Sequence, residues 1–430
     1  MERIVTEIHE IEISEDHMSV DIPLVSSIRE KIDKVSPISP DCSIYRVPKR
    51  VRDTNEKAYT PQVVSIGPFH HGKEDLQAME ENKLRYLQPF LDHAGLSLES
   101  CIGAIKAWEE EARNYYAESI KLSSDEFVTM VLLDSSFIIE NVWRNEFMPD
   151  EQTDYLGKPI FVSAIRTDLI LLENQLPFFV LEGLFNLASP IFRKHHSFLQ
   201  LVRGYLKDLM LVGDVKKSIS SFSTVKHFVD LLRSCHLPST PRSATPFSVN
   251  FMAIHNATKL HEAGMKFKKA KSNHLLDIKH TMERLEIPHL TLCDWTESLL
   301  RNLVALEQCH YLYDSYIVDY IFFMDNLIDT AKDADLLIQN GVVKSYLSDS
   351  ATVAGLFNGL TTEVTLCHEN YYFYDVCEKI NTYCNVSWHK WGATLKRDYF
   401  STPWRTASTI AAVILLGLTL IQAICSLVSL

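Results

Sequence analysis

Five polar side chains occupy positions where the surrounding pattern is apolar, and their types are those of acid–base chemistry. Asp168, Glu173, Asn174 and Gln175 interrupt the run DLILLENQLPFFV just before and around Leu176–Pro177, and Asp134 falls between Met130/Val131 and Phe137/Ile138 on a helical stripe. Burying such groups costs free energy unless each is hydrogen-bonded or paired. A carboxylate pair in a cleft would do acid and base work as glycosidases do, which would make Asp134, Asp168 and Glu173 the residues of an orphan enzyme. The other reading is an internal polar network, with Arg85, Arg144 or Arg166 as cationic partners, that fixes how helices dock. No GxSxG, no HExxH and no phosphate-cradling glycine loop accompanies these residues, so the pattern names no catalytic residue and no cofactor, and it favours the network.

His70 and His71 lie in a Pro/Gly turn, where they would ligate a metal or switch with pH near their unperturbed pKa. No partner ligand stands at a typical spacing, so the turn site reads as structural. Cys367, His368, Cys377, Cys384 and His389 come nearest to a metal cluster, yet their spacings match no common zinc pattern. Lys266, Lys268, Lys269 and Lys271, with Phe267 among them, make the dense basic patch of the head. They suit a solvated face or a lipid-facing patch, where each lysine near an anionic surface is worth about 1 kcal/mol. Overall the chain carries a net charge of -13, which argues against a nucleic-acid partner. Its nine cysteines are dispersed without a CxxC pair, as in reduced cytosolic proteins.

The elements that must position these residues are mainly helical. At 430 residues the chain exceeds what one core usually serves, so two lobes are expected. Residues 1–40 read as a flexible acidic arm without a secretory signal, and residues 41–400 as a helical head with a lobe boundary near 235–250, in CHLPSTPRSATPFSVN. Within the head, Val63–Ile66 is strand-like before Gly67 and Pro68. Ser123 with Glu126 forms a capping box ahead of a 3.6-residue apolar stripe, and Asp294 with Glu297 resembles a second N-terminal cap. Ile317–Ile328 is too short and too acidic to span a membrane and reads as a core helix. Leu275–His280 and Leu285–Pro288 suggest a minor β-hairpin.

From Thr406 to Leu430 there is no charged residue. Roughly 20 such residues cover a hydrocarbon core about 30 Å thick. Lys390, Lys396, Arg397 and Arg405 precede the run, and Tyr399, Phe400 and Trp404 sit where an interfacial belt belongs. Residues 406–430 are therefore expected to be a transmembrane tail anchor, with Trp404 and Arg405 at the interface and the head on the cytosolic side of the plasma membrane or an endomembrane. Ser408, Thr419, Gln422, Ser426 and Ser429 fall near one face of that helix, as they would in a buried C-terminal core helix, although burial would not require the cationic and aromatic flank; the same face leaves pairing of two chains open. Sequons at Asn256/Thr258 and Asn385/Ser387 would matter only for a head outside the cytosol.

Several segments together resemble one family: IYRVPKR from Ile44, YTPQVVSIGPFHHG from Tyr59, ENKLRYL from Glu81, DLILLENQLPFFVLEGLF from Asp168, EAGMKFKK from Glu262, LLDIKH from Leu275, TESLLRNLVALEQC from Thr296 and YFSTPWRTAS before the last helix. Their number and order are similar to those of the plant family called domain of unknown function 247, across nearly the whole chain beyond the acidic arm. The resemblance implies a land-plant membrane protein without an established enzymatic activity, in a family some of whose grass members are associated with self-incompatibility loci. The expected function is that of a membrane-tethered interaction or recognition protein with an unidentified protein partner, the alternative being the orphan enzyme of the buried carboxylates. The stretch SATPFSVNFM before the KFKK segment departs from the family pattern, as an inserted loop would.

Overall fold

The computed structural model describes residues 22–33, 39–149, 155–211, 225–238, 252–272, 274–311, 313–367, 370–385 and 403–428. The expected lobe boundary lies largely outside them, as do His368 and His389. Described residues up to Cys42 form one compact unit and those from Ser43 a second. In the first, α1 (Ile22–Asp33) exposes Leu24, Ile28 and Ile32 at helical spacing on one face.

In the second unit, helix dominates. Helices α2 (Lys49–Arg52), α3 (Gln77–Ala94), α4 (Leu98–Asn114) and α5 (Ser124–Phe147) come first. The expected capping box is present: the Ser123 amide donates to Glu126 at 2.8 Å, and the Glu126 amide to Ser123 Oγ at 3.4 Å. Behind it α5 is buried nearly all round, from Phe127 to Trp143, because α3 and α4 pack against it together with α7 (Phe178–Leu187) and α9 (Phe198–Tyr205). Between these run α6 (Pro159–Asp168) and the single turn α8 (Pro190–Arg193).

A second group of helices follows: α10 (Phe228–His236), α11 (Ala257–Glu262), α12 (Thr296–His310), α13 (Tyr316–Leu327), α14 (Ala331–Gln339), α15 (Ser350–Leu360) and α16 (Tyr374–Asn385). Helix α12 packs on α10, α13 and α15, and α13 is a buried core helix as its sequence suggests. The second proposed cap is corrected. Asp294 does not cap α12; Thr296 Oγ1 accepts from the Cys293 amide at 2.9 Å, and Glu297 turns forward to Arg301 and Asn55, at 2.8 Å each.

The strands are few. Strands β1 (Lys266–Lys269), β2 (Lys279–Thr281) and β3 (Arg284–Ile287) form a sheet in the order β1-β3-β2, with β1 parallel and β2 antiparallel to β3. The hairpin expected near 275–288 is thus β2–β3, shorter than its apolar pattern because Leu275, Leu276 and Ile278 are buried in the turn before it. Strands β4 (Leu290–Leu292) and β5 (Val343–Ser345) pair in parallel. The last helix, α17 (Pro403–Val428), contains the 19 residues Thr406–Ile424, long and apolar enough to cross a membrane and not buried.

Candidate functional site

The Val63–Ile66 segment is not a strand, for a physical reason that also locates the chain's main polar site. Five of the six amides from Gln62 to Gly67 donate to side chains instead of to a neighbouring strand. Asp168 accepts from Gln62 (3.0 Å), Val63 (2.7 Å) and Val64 (2.8 Å), Asn174 Oδ1 from Ile66 (2.7 Å), and Asp134 Oδ2 from Gly67 (2.7 Å). Two of the carbonyls are met as well: Asn174 Nδ2 donates to Val64 O at 3.0 Å, and Lys83 Nζ to Ser65 O at 2.6 Å. A buried backbone must have its polar groups satisfied, and here side chains from α3, α5 and the 168–175 segment replace a partner strand.

The remaining polar residues of that segment tie it to others. Gln175 Nε2 donates to the carbonyls of Leu169 and Leu171, and its Oε1 accepts from the Phe228 amide at 3.0 Å, joining α10. Glu173 Oε1 accepts from the Val47 amide at 2.9 Å, while Oε2 meets Arg52 at 3.0 Å and lies 3.4 Å from His70 Nε2. Gly67 has φ +72°, and a Cβ there would stand 2.4 Å from Gln175 O, so glycine is required at this crossing.

The electrostatics follow from burial. The Asp168 carboxyl is lifted to about 6 by desolvation, against the pull of its three amide donors. Burial also works to raise Glu173, but His70, the Val47 amide and Arg52 outweigh it and hold the carboxyl below its usual range. Desolvation keeps His70 lower than an ordinary histidine, despite Glu173. Lys83, fully buried, reaches Asp134 and Glu80 at 2.6 Å each. Burial pulls its ammonium down, yet the two carboxylates hold it above the ordinary lysine value. Burial raises Asp134 in turn; with Lys83 at 2.6 Å and an amide at 2.7 Å the pair is ionic.

The cationic partners therefore differ from those that the sequence suggests. Arg85 pairs with exposed Glu81, Arg144 with Glu140, and Arg166 with Asp208. Lys83 takes the place proposed for them.

The pattern of plant domain of unknown function 247, described as a plant protein of unknown function, matches residues 44–418. The chain belongs to that family. Two proteins of Arabidopsis thaliana are similar over most of their length: UPF0481 protein At3g47200, 28% identical, with 90% of this chain and 87% of the relative covered, and putative UPF0481 protein At3g02645, 22% identical, with 88% and 89% covered. No solved structure matches the chain.

In this family member, sequence reasoning missed several buried polar residues. Asn302 on α12 accepts from the Leu172 amide at 2.8 Å and donates to the Ala58 carbonyl at 2.7 Å. Glu307 pairs with buried Arg233 at 2.8 Å and accepts the Ile317 and Val318 amides at 2.9 Å each, capping α13. His227 accepts from the Asp230 amide and lies 3.1 Å from Ser43 O; burial lowers it to about 4. Signals existed. Lys83 completes the stripe Met79, Tyr86, Phe90 on α3, and Asn302 and Glu307 stand in the apolar run of α12.

The other candidate residues are dispersed. His71 lies in the turn, half-buried, beside buried His70. Cys377 is buried against Tyr371, its thiol pushed up to about 12. Among the described residues, no three His, Cys, Asp or Glu side chains are grouped to hold a metal. Asn256 Oδ1 accepts from the Lys259 amide at 3.1 Å as the cap of α11, and Thr258 Oγ1 donates to Asp333 at 2.6 Å. A cleft of about 340 Å³ is lined by Arg166, Asp208 and Trp295 among others, and a second of about 320 Å³ by His255, Asn256, Asp325 and Asp329 among others. Neither is lined by Asp134, Asp168 or Glu173. Lys266, Lys268 and Lys269 lie on β1 with Lys271 just beyond, all exposed, and Trp404 is exposed at the start of α17. The Arg405 side chain is outside the described residues.

Proposed function

We propose that this protein is a membrane-tethered, non-catalytic recognition protein, whose head binds another protein and whose last helix supplies the location. The observation that carries the tether is the uncharged helix Thr406–Ile424, which exposes Leu415, Leu416, Leu418 and Leu420 at 60–69%, a surface too apolar to leave in water. The basic flank before it favours a cytosolic head.

The carboxylates of the head support the non-catalytic part. A general acid or base must reach a substrate proton, whereas Asp168 is occupied by three amides, Asp134 by Lys83 and Gly67, and Glu173 by Val47 and Arg52. Recognition of the self-incompatibility type, associated with some grass members of the family, is the finer form of this reading.

The test is protease protection with glycosidase treatment of the full-length protein in plant microsomes. The reading expects a head digested from the cytosolic side and free of glycan, and a chain ending at Phe400 released in soluble form. A protected head with glycan at Asn256 or Asn385 would move recognition to the other side of the membrane.

A further inference from the structure

The register of the three-stranded sheet sorts its residues onto two faces. Lys266 and Lys268 of β1 stand beside Arg284 and Glu286 of β3, and β3 pairs Arg284 with Thr281 and Glu286 with Lys279 of β2. Residues paired side by side share a face, and alternate residues of a strand do so too. One face therefore carries Lys266, Lys268, Lys279 and Arg284 around Glu286, and the other buries Phe267, Leu285 and Ile287. Lys266 pairs with Glu283 and Lys279 with Asp277, but Lys268 and Arg284 make no ion pair among the described residues. Two unpaired cations, Lys268 and Arg284, on a face that carries four, stand out in a chain of net charge -13.

Two further observations lie on the same element. Met282, at the tip of the β2–β3 turn, is 88% exposed and has φ +49°, a backbone region that glycine or asparagine ordinarily fills. Moreover, β2 packs against α16, with His280 and Tyr383 rings 5.8 Å apart edge to face. Helix α16 ends at Asn385, and only residues 386–402 separate it from α17, a connection that cannot exceed about 60 Å. The basic face is thus held near any bilayer that α17 enters, at high effective concentration.

We infer that the Lys266/Lys268/Lys279/Arg284 face docks on the anionic phospholipid of the membrane carrying α17, with Met282 inserted among the headgroups. Anionic lipid supplies the complementary charge, and an exposed methionine at a hairpin tip supplies apolar contact. The inference rests on α17 being a membrane helix. Docking would orient the head and decide which of its surfaces a partner meets.

The test uses full-length protein in nanodiscs of phosphatidylcholine alone or with phosphatidylserine, read by amide hydrogen exchange over residues 279–287. Phosphatidylserine should slow exchange by about fivefold or more, the factor expected of one near-surface lysine. The triple substitution Lys266→Glu, Lys268→Glu, Arg284→Glu should abolish the slowing while leaving exchange in α5 unchanged. Met282→Asp, which disturbs nothing buried, should reduce it. Equal exchange on the two lipids, or slowing that survives the triple substitution, overturns the docking. Slowing by soluble polyglutamate and not by phosphatidylserine would also overturn it and assign the face to an acidic protein. A chain that enters neither nanodisc refutes the anchor itself, whereas entry without slowing refutes the docking alone.

Discussion

Replacing Lys83 with methionine keeps the length and apolar stem of a fully buried side chain while removing its charge. The ammonium lies 2.6 Å from Asp134 and 2.6 Å from the Ser65 carbonyl. Without it, Asp134 keeps the Gly67 amide and loses its counter-charge, and the Ser65 carbonyl loses its donor. Breaking a buried pair from one side costs about 3–5 kcal/mol, a large share of a total stability of about 5–15 kcal/mol. The loss must carry a signature: Asp134 without a counter-charge relieves its cost by binding a proton, so the deficit of Lys83→Met should shrink as pH falls. Adding Asp134→Asn removes the stranded charge and should recover about 1–3 kcal/mol. Urea unfolding of the full-length proteins in detergent, followed by circular dichroism at two pH values, measures all of this. A single substitution costing under about 1 kcal/mol, or a double variant no more stable than the single, would refute the view that this pair docks the 62–67 segment.

The remaining expectations concern the same scaffold. His227 is lowered to about 4 from an ordinary 6.5, so the native state binds fewer protons than the unfolded chain between those values and loses stability as pH falls through them. The unaltered chain should lose about 3 kcal/mol relative to His227→Gln between pH 6.5 and 4. A difference measurement is needed because Asp168 and Asp325, both lifted to about 6 by burial, act with the opposite sign over much of that range. Gly67→Ala forces a Cβ to 2.4 Å from the Gln175 carbonyl at φ +72°, and thermal unfolding should register a loss of about 2–4 kcal/mol. Glu307→Gln removes the charge opposite buried Arg233 and should cost about 3 kcal/mol in denaturant unfolding.

What the sequence made legible, and what it did not, follows from how far each interaction reaches along the chain. The Ser123–Glu126 box, the core helix α13 and the uncharged run of α17 depend on residues a few places apart, and periodicity finds them. The polar residues Asp134, Asp168, Glu173, Asn174 and Gln175 stand out because they break an apolar pattern. Their partners lie elsewhere in sequence: Gln62 is 106 residues from Asp168, and Gly67 is 67 from Asp134. No local rule says that the donors will be main-chain amides and not arginines. The same reach explains the mistaken strand. Val63–Ile66 has the composition of a strand, but composition does not tell whether the backbone's partner is another backbone or a set of side chains. An apolar stripe that contains one lysine, as α3 does with Lys83, is the clue that would have separated the two cases, since a lysine on a core face must meet a buried acid. In α3 it meets two.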